Sequence, residues 1–415
     1  MQRWLKFSKY LPNYQWDPII YTPENPEFNL RDETLLKDVS PSLKVYKRPI
    51  WEPFSVYRRI FGSKGAVVKQ GVVGGSGKKS ILTNLIIWIR GNFFIPDPRV
   101  FWVKPSVRFL TQFIKDEGIE LVVTTGPPHS MHLIGLNLKK NLGIKWVADF
   151  RDPWSQLDLL HQMQLSRSTL AKHLKLEKEV LKAADKVILV NDKFKNKIAG
   201  VSHKKLEIIT NGFDEPDFSN DQLATPEKFI LCHFGLLNEV RNPEQLWKAF
   251  EELCEENESF HQSLELRLGG IIDDQVRATI ESNPLLLEKT VFLDYLSHDE
   301  VIQNYYHSSI LLLLLNKSEL GKSFMTGKIF EYLAVKKPIL ATGYPESDAG
   351  KLINKTKTGE IIHFDQKDEM KAFILKRFSE FPNTTISCDE AEIAKYSREN
   401  LTRELSKVFN KTLNG

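Results

Sequence analysis

The chain has 415 residues, 41% of them hydrophobic and 27% charged, and a net charge of +4, which suits a globular enzyme of two or three domains and is too mild for a nucleic-acid binder. No apolar run approaches the roughly 18 residues that cross a bilayer, residues 85–89 and 310–315 being the longest candidates. The three cysteines, Cys232, Cys254 and Cys388, have no metal-ligand spacing and fit a reducing cytoplasm.

Residues 2–11 read as an amphipathic helix rather than a secretory leader, and residues 17–22 as a strand. A doubly wound domain ordinarily opens on a buried strand and a glycine-rich loop. Neither precedes this helix, so the first strand of the N-terminal domain is expected to be missing. A strand from Leu43 leads into a tract, residues 51–104, where aromatic and basic residues alternate: Trp88, Arg90, Phe93, Phe94, Arg99, Phe101, Trp102 and Lys104 among them. Such a tract either seats in a membrane headgroup region, rings half-buried and cations on phosphates, or packs as an irregular subdomain surface. Inside it, residues 71–80 imitate a P-loop, but with Gly77-Lys78 as the required pair the first glycine falls at Val72 and the hydroxyl at Lys79. A flexible glycine and lysine loop is the better reading.

Residues 119–125 form a predicted strand that runs through Gly126-Pro127-Pro128-His129-Ser130 into a helix over 131–141, and a second strand runs through Ala148-Asp149-Phe150 into Arg151-Asp152-Pro153-Trp154. Open parallel sheets bind ligands at strand carboxyl ends. His129, Arg151 and Asp152 are therefore the catalytic candidates, with two plainer roles beside that one: His129 as a helix cap, and an Arg–Asp pair bracing the turn. A charged helix over 175–184, a strand over 186–190 and the junction Asn211-Gly212-Phe213-Asp214 follow. A boundary near Asp217 is expected, giving an N-terminal domain of 1–217 and a C-terminal domain of 218–389, with a last polar helix over 390–413.

The second half alternates strand and helix as a nucleotide-binding domain does. Residues 229–235 form a strand ending in Gly235, after which Arg241-Asn242-Pro243 opens a helix with proline in its first turn. Strands follow at 264–270 and 291–296. Asp273-Asp274 reads as a helix cap rather than a metal site. The most informative stretch is Thr326-Gly327-Lys328-Ile329-Phe330-Glu331-Tyr332-Leu333-Ala334, between the apolar runs 310–315 and 338–341. At 100° per residue Ile329, Phe330, Leu333 and Ala334 share one face, and Lys328, Glu331, Tyr332 and Val335 the other. An ammonium on a helix's first turn makes a diphosphate receptor, and a carboxylate one turn further accepts from ribose hydroxyls. An exposed i,i+3 ion pair is the plainer alternative.

The glycine turn and Glu-bearing helix before Pro338-Ile339-Leu340-Ala341, with Thr125-Gly126-Pro127-Pro128-His129-Ser130, Asp149-Phe150-Arg151-Asp152-Pro153-Trp154 and Asn211-Gly212-Phe213-Asp214, resemble family 4 of the retaining glycosyltransferases, in a bacterial surface-polysaccharide branch. The resemblance covers nearly the whole chain. It implies the α/β GT-B fold, two facing Rossmann-like domains with a carboxyl-terminal crossover helix. It further implies sugar transfer, with retention and without a metal or other cofactor, from a nucleoside diphosphate-sugar to a saccharide or lipid-linked acceptor, at the cytoplasmic face of a membrane. Gly235, Arg241, Thr326, Gly327, Lys328 and Glu331 would bind the donor, and His129, Arg151 and Asp152 would line the acceptor side. Many relatives carry a glutamate eight residues before the ribose-binding one, where this chain has Ser323; the sugar contact there is altered. A nucleotide-sugar epimerase of the same layout and a non-catalytic membrane-surface paralogue are the competing readings.

Overall fold

Short apolar runs alternating with amphipathic segments fold as their periods require, into buried parallel strands joined by helices. The computed structural model describes residues 2–26, 33–53, 81–155, 163–198, 201–218, 226–322, 325–383 and 386–415. Contacts divide the chain into two units, one of Phe7–Arg31, Val39–Thr210 and Thr402–Gly415, the other of Met1–Lys6, Asp32–Asp38 and Asn211–Leu401. Residues 71–80 and Ser323 lie outside the described residues.

In the N-terminal unit β1 (Ile19–Pro23) runs parallel to β2 (Lys44–Arg48), with Tyr21 opposite Tyr46. A four-stranded parallel sheet follows in sequence order: β3 (Leu121–Gly126), β4 (Lys145–Phe150), β5 (Lys186–Leu189) and β6 (Leu206–Ile208). β4 is buried from Trp146 onward, as a central parallel strand must be. The helix Ser130–Leu142 follows β3, and its first amide is capped by Asp97, whose carboxylate accepts from Ser130 N at 2.8 Å and from Ser130 Oγ at 2.7 Å. His129 offers no side-chain cap there, which removes one of its two expected roles. The charged helix begins earlier than its pattern indicated, at Arg167, because Ser166 Oγ accepts from Thr169 N at 3.1 Å.

The aromatic and basic tract divides in two where it is described. Trp102 is buried and stacks on Tyr21 at 4.8 Å, its indole donating to Pro49 O. Trp51, Leu85, Trp88, Phe93 and Phe101 stay exposed, Phe93 at 67%.

The C-terminal unit holds a six-stranded parallel sheet of order β12-β11-β10-β7-β8-β9. These strands are β7 (Phe229–Phe234), β8 (Leu264–Gly269), β9 (Thr290–Leu293), β10 (Ile310–Leu314), β11 (Ile339–Thr342) and β12 (Gly359–Ile362). The chain builds outward from β7 through β8 to β9, then crosses to β10 and builds the other way. The reversal lies between β7 and β10, so their carboxyl ends flank the crevice where such sheets take ligands. Asp273 caps its helix as expected, accepting from Gln275 N at 3.0 Å.

Lys6 carries a buried charge in this unit's interior. Its ammonium lies 2.7 Å from Asp38, 2.7 Å from Asp214 and 2.8 Å from Asp217, at 2% exposure. Burial opposes its charge, yet the hydrogen bonds it donates to the three carboxylates raise its pKa above the usual lysine value. The three acids are close enough together to hold a metal ion, but the lysine already supplies their cation.

Candidate functional site

The crevice between β7 and β10 collects the residues expected to hold the donor. Gly235, the first residue after β7, has φ +139°, and a Cβ there would lie 2.2 Å from Lys328 Nζ. Lys328, the first residue of the helix Lys328–Val335, thus passes over a glycine because nothing larger leaves room. Its amide donates to Thr326 Oγ1 at 3.1 Å. Gly327 has ordinary helical angles and open space on its Cβ side, so it shapes access to the helix start rather than a special turn.

Arg241 ends a single 3-10 turn, Glu239–Arg241, with Pro243 at the cap of the helix Glu244–Glu256. Its Nε donates to Asn316 Oδ1 at 2.5 Å and its Nη1 to Leu236 O at 3.1 Å. Burial, then the Arg241 charge, bring the Lys328 pKa down to about 8, with Glu331 opposing both. Two cations held in a buried setting, the charge of Arg241 depressing Lys328 and a carboxylate close by, form a site short of negative charge.

Sequence reasoning missed two histidines here. His233 lies inside β7, its Nδ1 3.0 Å from Leu312 O. A carbonyl only accepts, so Nδ1 carries the proton and Nε2, 3.5 Å from Lys328 Nζ, presents a lone pair to the ammonium. Burial, then the Lys328 charge, hold the ring's pKa well below its ordinary value. His298 stands at the start of another helix, Nε2 3.5 Å from Glu331 Oε1. Each lies in a run that pattern assigns to core or cap, and only the fold brings either to the crevice.

The helical-wheel assignment needs a correction. Tyr332 and Val335, placed opposite the core face, are buried at 0% and 6% exposure. The Tyr332 hydroxyl donates to Leu312 O at 3.1 Å and its ring meets Tyr305 edge-on. This helix is covered on both sides, so Lys328 and Glu331 project from a narrow strip.

In the N-terminal unit the three catalytic candidates gather at the carboxyl ends of β3 and β4. The His129 ring stacks on Trp154 at 4.9 Å and 9°, and both its nitrogens are buried without a partner. Burial, then the nearby His132 and Arg151, hold its pKa well below the usual value, so it is a neutral imidazole with one donor and one acceptor to offer. Arg151 donates its amide to Gly126 O at 2.9 Å and its Nη2 to Pro127 O, bracing the turn. Its charge is felt at Asp152, whose carboxyl is raised by burial, lowered by Arg151 and raised by Asp149. Behind them Thr124 Oγ1 pairs with His132 Nδ1 at 2.9 Å, and the Trp154 indole donates to His173 Nδ1 at 3.1 Å. His132 and His173 were not foreseen.

No family model matches the sequence, and a search of curated proteins finds no match. Solved structures do match. A glycosyltransferase from Rickettsia africae superposes with a TM-score of 0.61 at 15% identity, over 100% of this chain and 95% of its own. Anabaena HepE in complex with UDP and glucose gives 0.62 at 14% identity, over 99% and 95%. The UDP-forming α,α-trehalose-phosphate synthase of Burkholderia xenovorans, in complex with glucose-6-phosphate, gives 0.57 at 10% identity, over 99% and 95%. The fold is that of the GT-B glycosyltransferases, two Rossmann-like α/β domains.

Proposed function

We propose that the protein is a glycosyltransferase that binds a nucleoside diphosphate-sugar in the crevice between β7 and β10 and passes the sugar to an acceptor held by the N-terminal unit. The observation that carries this reading is the meeting of Lys328, which passes over the bare backbone of Gly235, with the charges of Arg241 and Glu331 at a reversal of strand order. HepE, which shares the fold, was solved with UDP and glucose.

Departure of the sugar leaves negative charge on the diphosphate. Lys328, Arg241 and the positive end of the dipole of the helix Lys328–Val335 stabilise that charge, and such preorganised charge supplies the large electrostatic part of catalysis. Glu331 accepts from the ribose hydroxyls. Gly235, Thr326 and Gly327 leave the approach unobstructed. In the N-terminal unit His129, Arg151 and Asp152 orient the acceptor hydroxyl, the neutral His129 ring being able to take or give a proton. Reaction with retention, without a metal and without a covalent intermediate, accords with cations already placed in the crevice. The acceptor class is a saccharide or lipid-linked saccharide of surface polysaccharide synthesis, and the exposed Trp51, Trp88, Phe93 and Phe101 suit a protein that works against the inner face of a membrane.

Calorimetry with nucleoside diphosphates tests the donor site. Lys328→Ala or Glu331→Ala should weaken binding at least about tenfold, the loss of roughly one charge-assisted interaction, while the melting temperature holds. Equal affinity in both variants would dismiss the assignment. Incubation with the donor alone separates transfer from epimerisation, since only an epimerase isomerises the sugar without an acceptor.

A further inference from the structure

Glu331 presents a problem that the donor site must solve. A carboxylate beside a diphosphate repels it, yet ribose recognition needs its oxygens as acceptors. The structure places a titratable group against it. His298 opens the helix His298–His307, with Nε2 3.5 Å from Glu331 Oε1 and both side chains largely buried, at 13% and 21% exposure. A helix amino terminus disfavours a cation, so what holds charge on this ring comes from other elements.

Several charged groups face the ring. From the helix Lys328–Val335 comes Glu331; from the short turn Glu215–Phe218 comes Asp217; from the first helix comes Lys6, whose charge acts against protonation. On its own helix, Asp299 is engaged by Lys37 at 2.9 Å and Glu300 by Ser297 at 2.8 Å. Burial disfavours the imidazolium, but the hydrogen bond and charge of Glu331, with help from Asp217, outweigh it and raise the ring's pKa above the ordinary histidine value.

We propose that His298 is a positioning residue of the donor site, a switchable cation that fixes the Glu331 carboxylate for the ribose and offsets its charge so that the crevice accepts a diphosphate. This rests on the donor reading above. It makes donor affinity a function of pH: affinity is highest with His298 protonated and falls as pH rises through its pKa. An anionic ligand favours the protonated ring, so binding near neutral pH draws in a proton. Lys328, at about 8, loses its own charge at higher pH and gives a second, separate fall.

The test is calorimetry with UDP-glucose, followed by ADP- and GDP-sugars if it does not bind, from about pH 6 to about pH 9; the diphosphate diester of such a donor does not titrate in that range. His298→Gln keeps a hydrogen-bonding group beside Glu331 and removes the titratable charge. The wild-type protein should lose roughly fivefold in affinity across the histidine limb, the effect of one charge at such a separation, and should take up protons in buffers of differing ionisation enthalpy. The variant should show neither effect while keeping the later fall assigned to Lys328. Coincident pH profiles and equal proton uptake in the two proteins would overturn the role of His298 and leave the donor site standing. Failure of every nucleotide sugar to bind the wild-type protein at any pH would overturn both.

Discussion

Gly235 sits where no side chain fits, at φ +139° with Lys328 Nζ lying 2.2 Å from where a Cβ would be. Gly235→Ala should therefore cost about 1–3 kcal/mol of stability through backbone strain and, by pushing the ammonium aside, weaken nucleotide binding by more than that strain explains. Thermal unfolding and calorimetry on one preparation separate the two effects, and unaltered binding would mean that Lys328 does not need this path. The positions of Gly235, Arg241 and Lys328 beside strand and helix ends were legible, because local pattern marks such ends. His233 was not, since a histidine within an apolar strand looks like filler until Leu312 O and Lys328, 95 residues away from it in sequence, close around its two nitrogens. Asn316, which orients Arg241, carries no signal in the sequence for the same reason.

The helix Ile81–Phe93 leaves Leu85, Trp88 and Phe93 exposed, and Trp88 meets Phe93 edge-on at 5.8 Å. Water offers such a face nothing, whereas a headgroup region takes half-buried rings well. Trp88→Glu with Phe93→Glu should leave the fold intact and reduce co-flotation with anionic phospholipid vesicles several-fold; equal flotation of the two proteins would remove the membrane contact. At this scale the strands were the most readable parts, for β7, β10 and β11 are largely apolar runs, buried at every position, that only a doubly covered parallel sheet accommodates. Helix limits were less so. Ser166 starts its helix with a cap nine residues before Lys175, where periodicity had placed the beginning, and Tyr332 and Val335 are buried by cover that no single-helix period can reveal.

Across the whole molecule, the alternation of strand and helix announced two α/β units, but the membership of the chain ends is a matter of tertiary contact. Met1–Lys6 belongs with Asn211–Leu401, and Thr402–Gly415 with the residues before 211. Lys6 holds its place through Asp38, Asp214 and Asp217. Its folded pKa is raised, so the stabilisation is complete below the ordinary lysine value and fails only as pH climbs through the higher folded one. Lys6→Met strands three carboxylates in a dry pocket and should cost about 3–5 kcal/mol near neutral pH. The deficit should shrink in acid, as protons replace the missing ammonium. Urea unfolding at about pH 5 and about pH 8 reads the difference, and a deficit that does not change with pH would show the acids to be solvated.

The same knot bears on how the polypeptide can be made and divided. Lys6 leaves the ribosome more than two hundred residues ahead of Asp214, so the opening turn has only Asp38 of its three acids until the second half of the chain is synthesised. Severing the chain between Thr210 and Asn211 would yield two fragments each lacking a piece carried by the other, and neither would be whole until both were mixed.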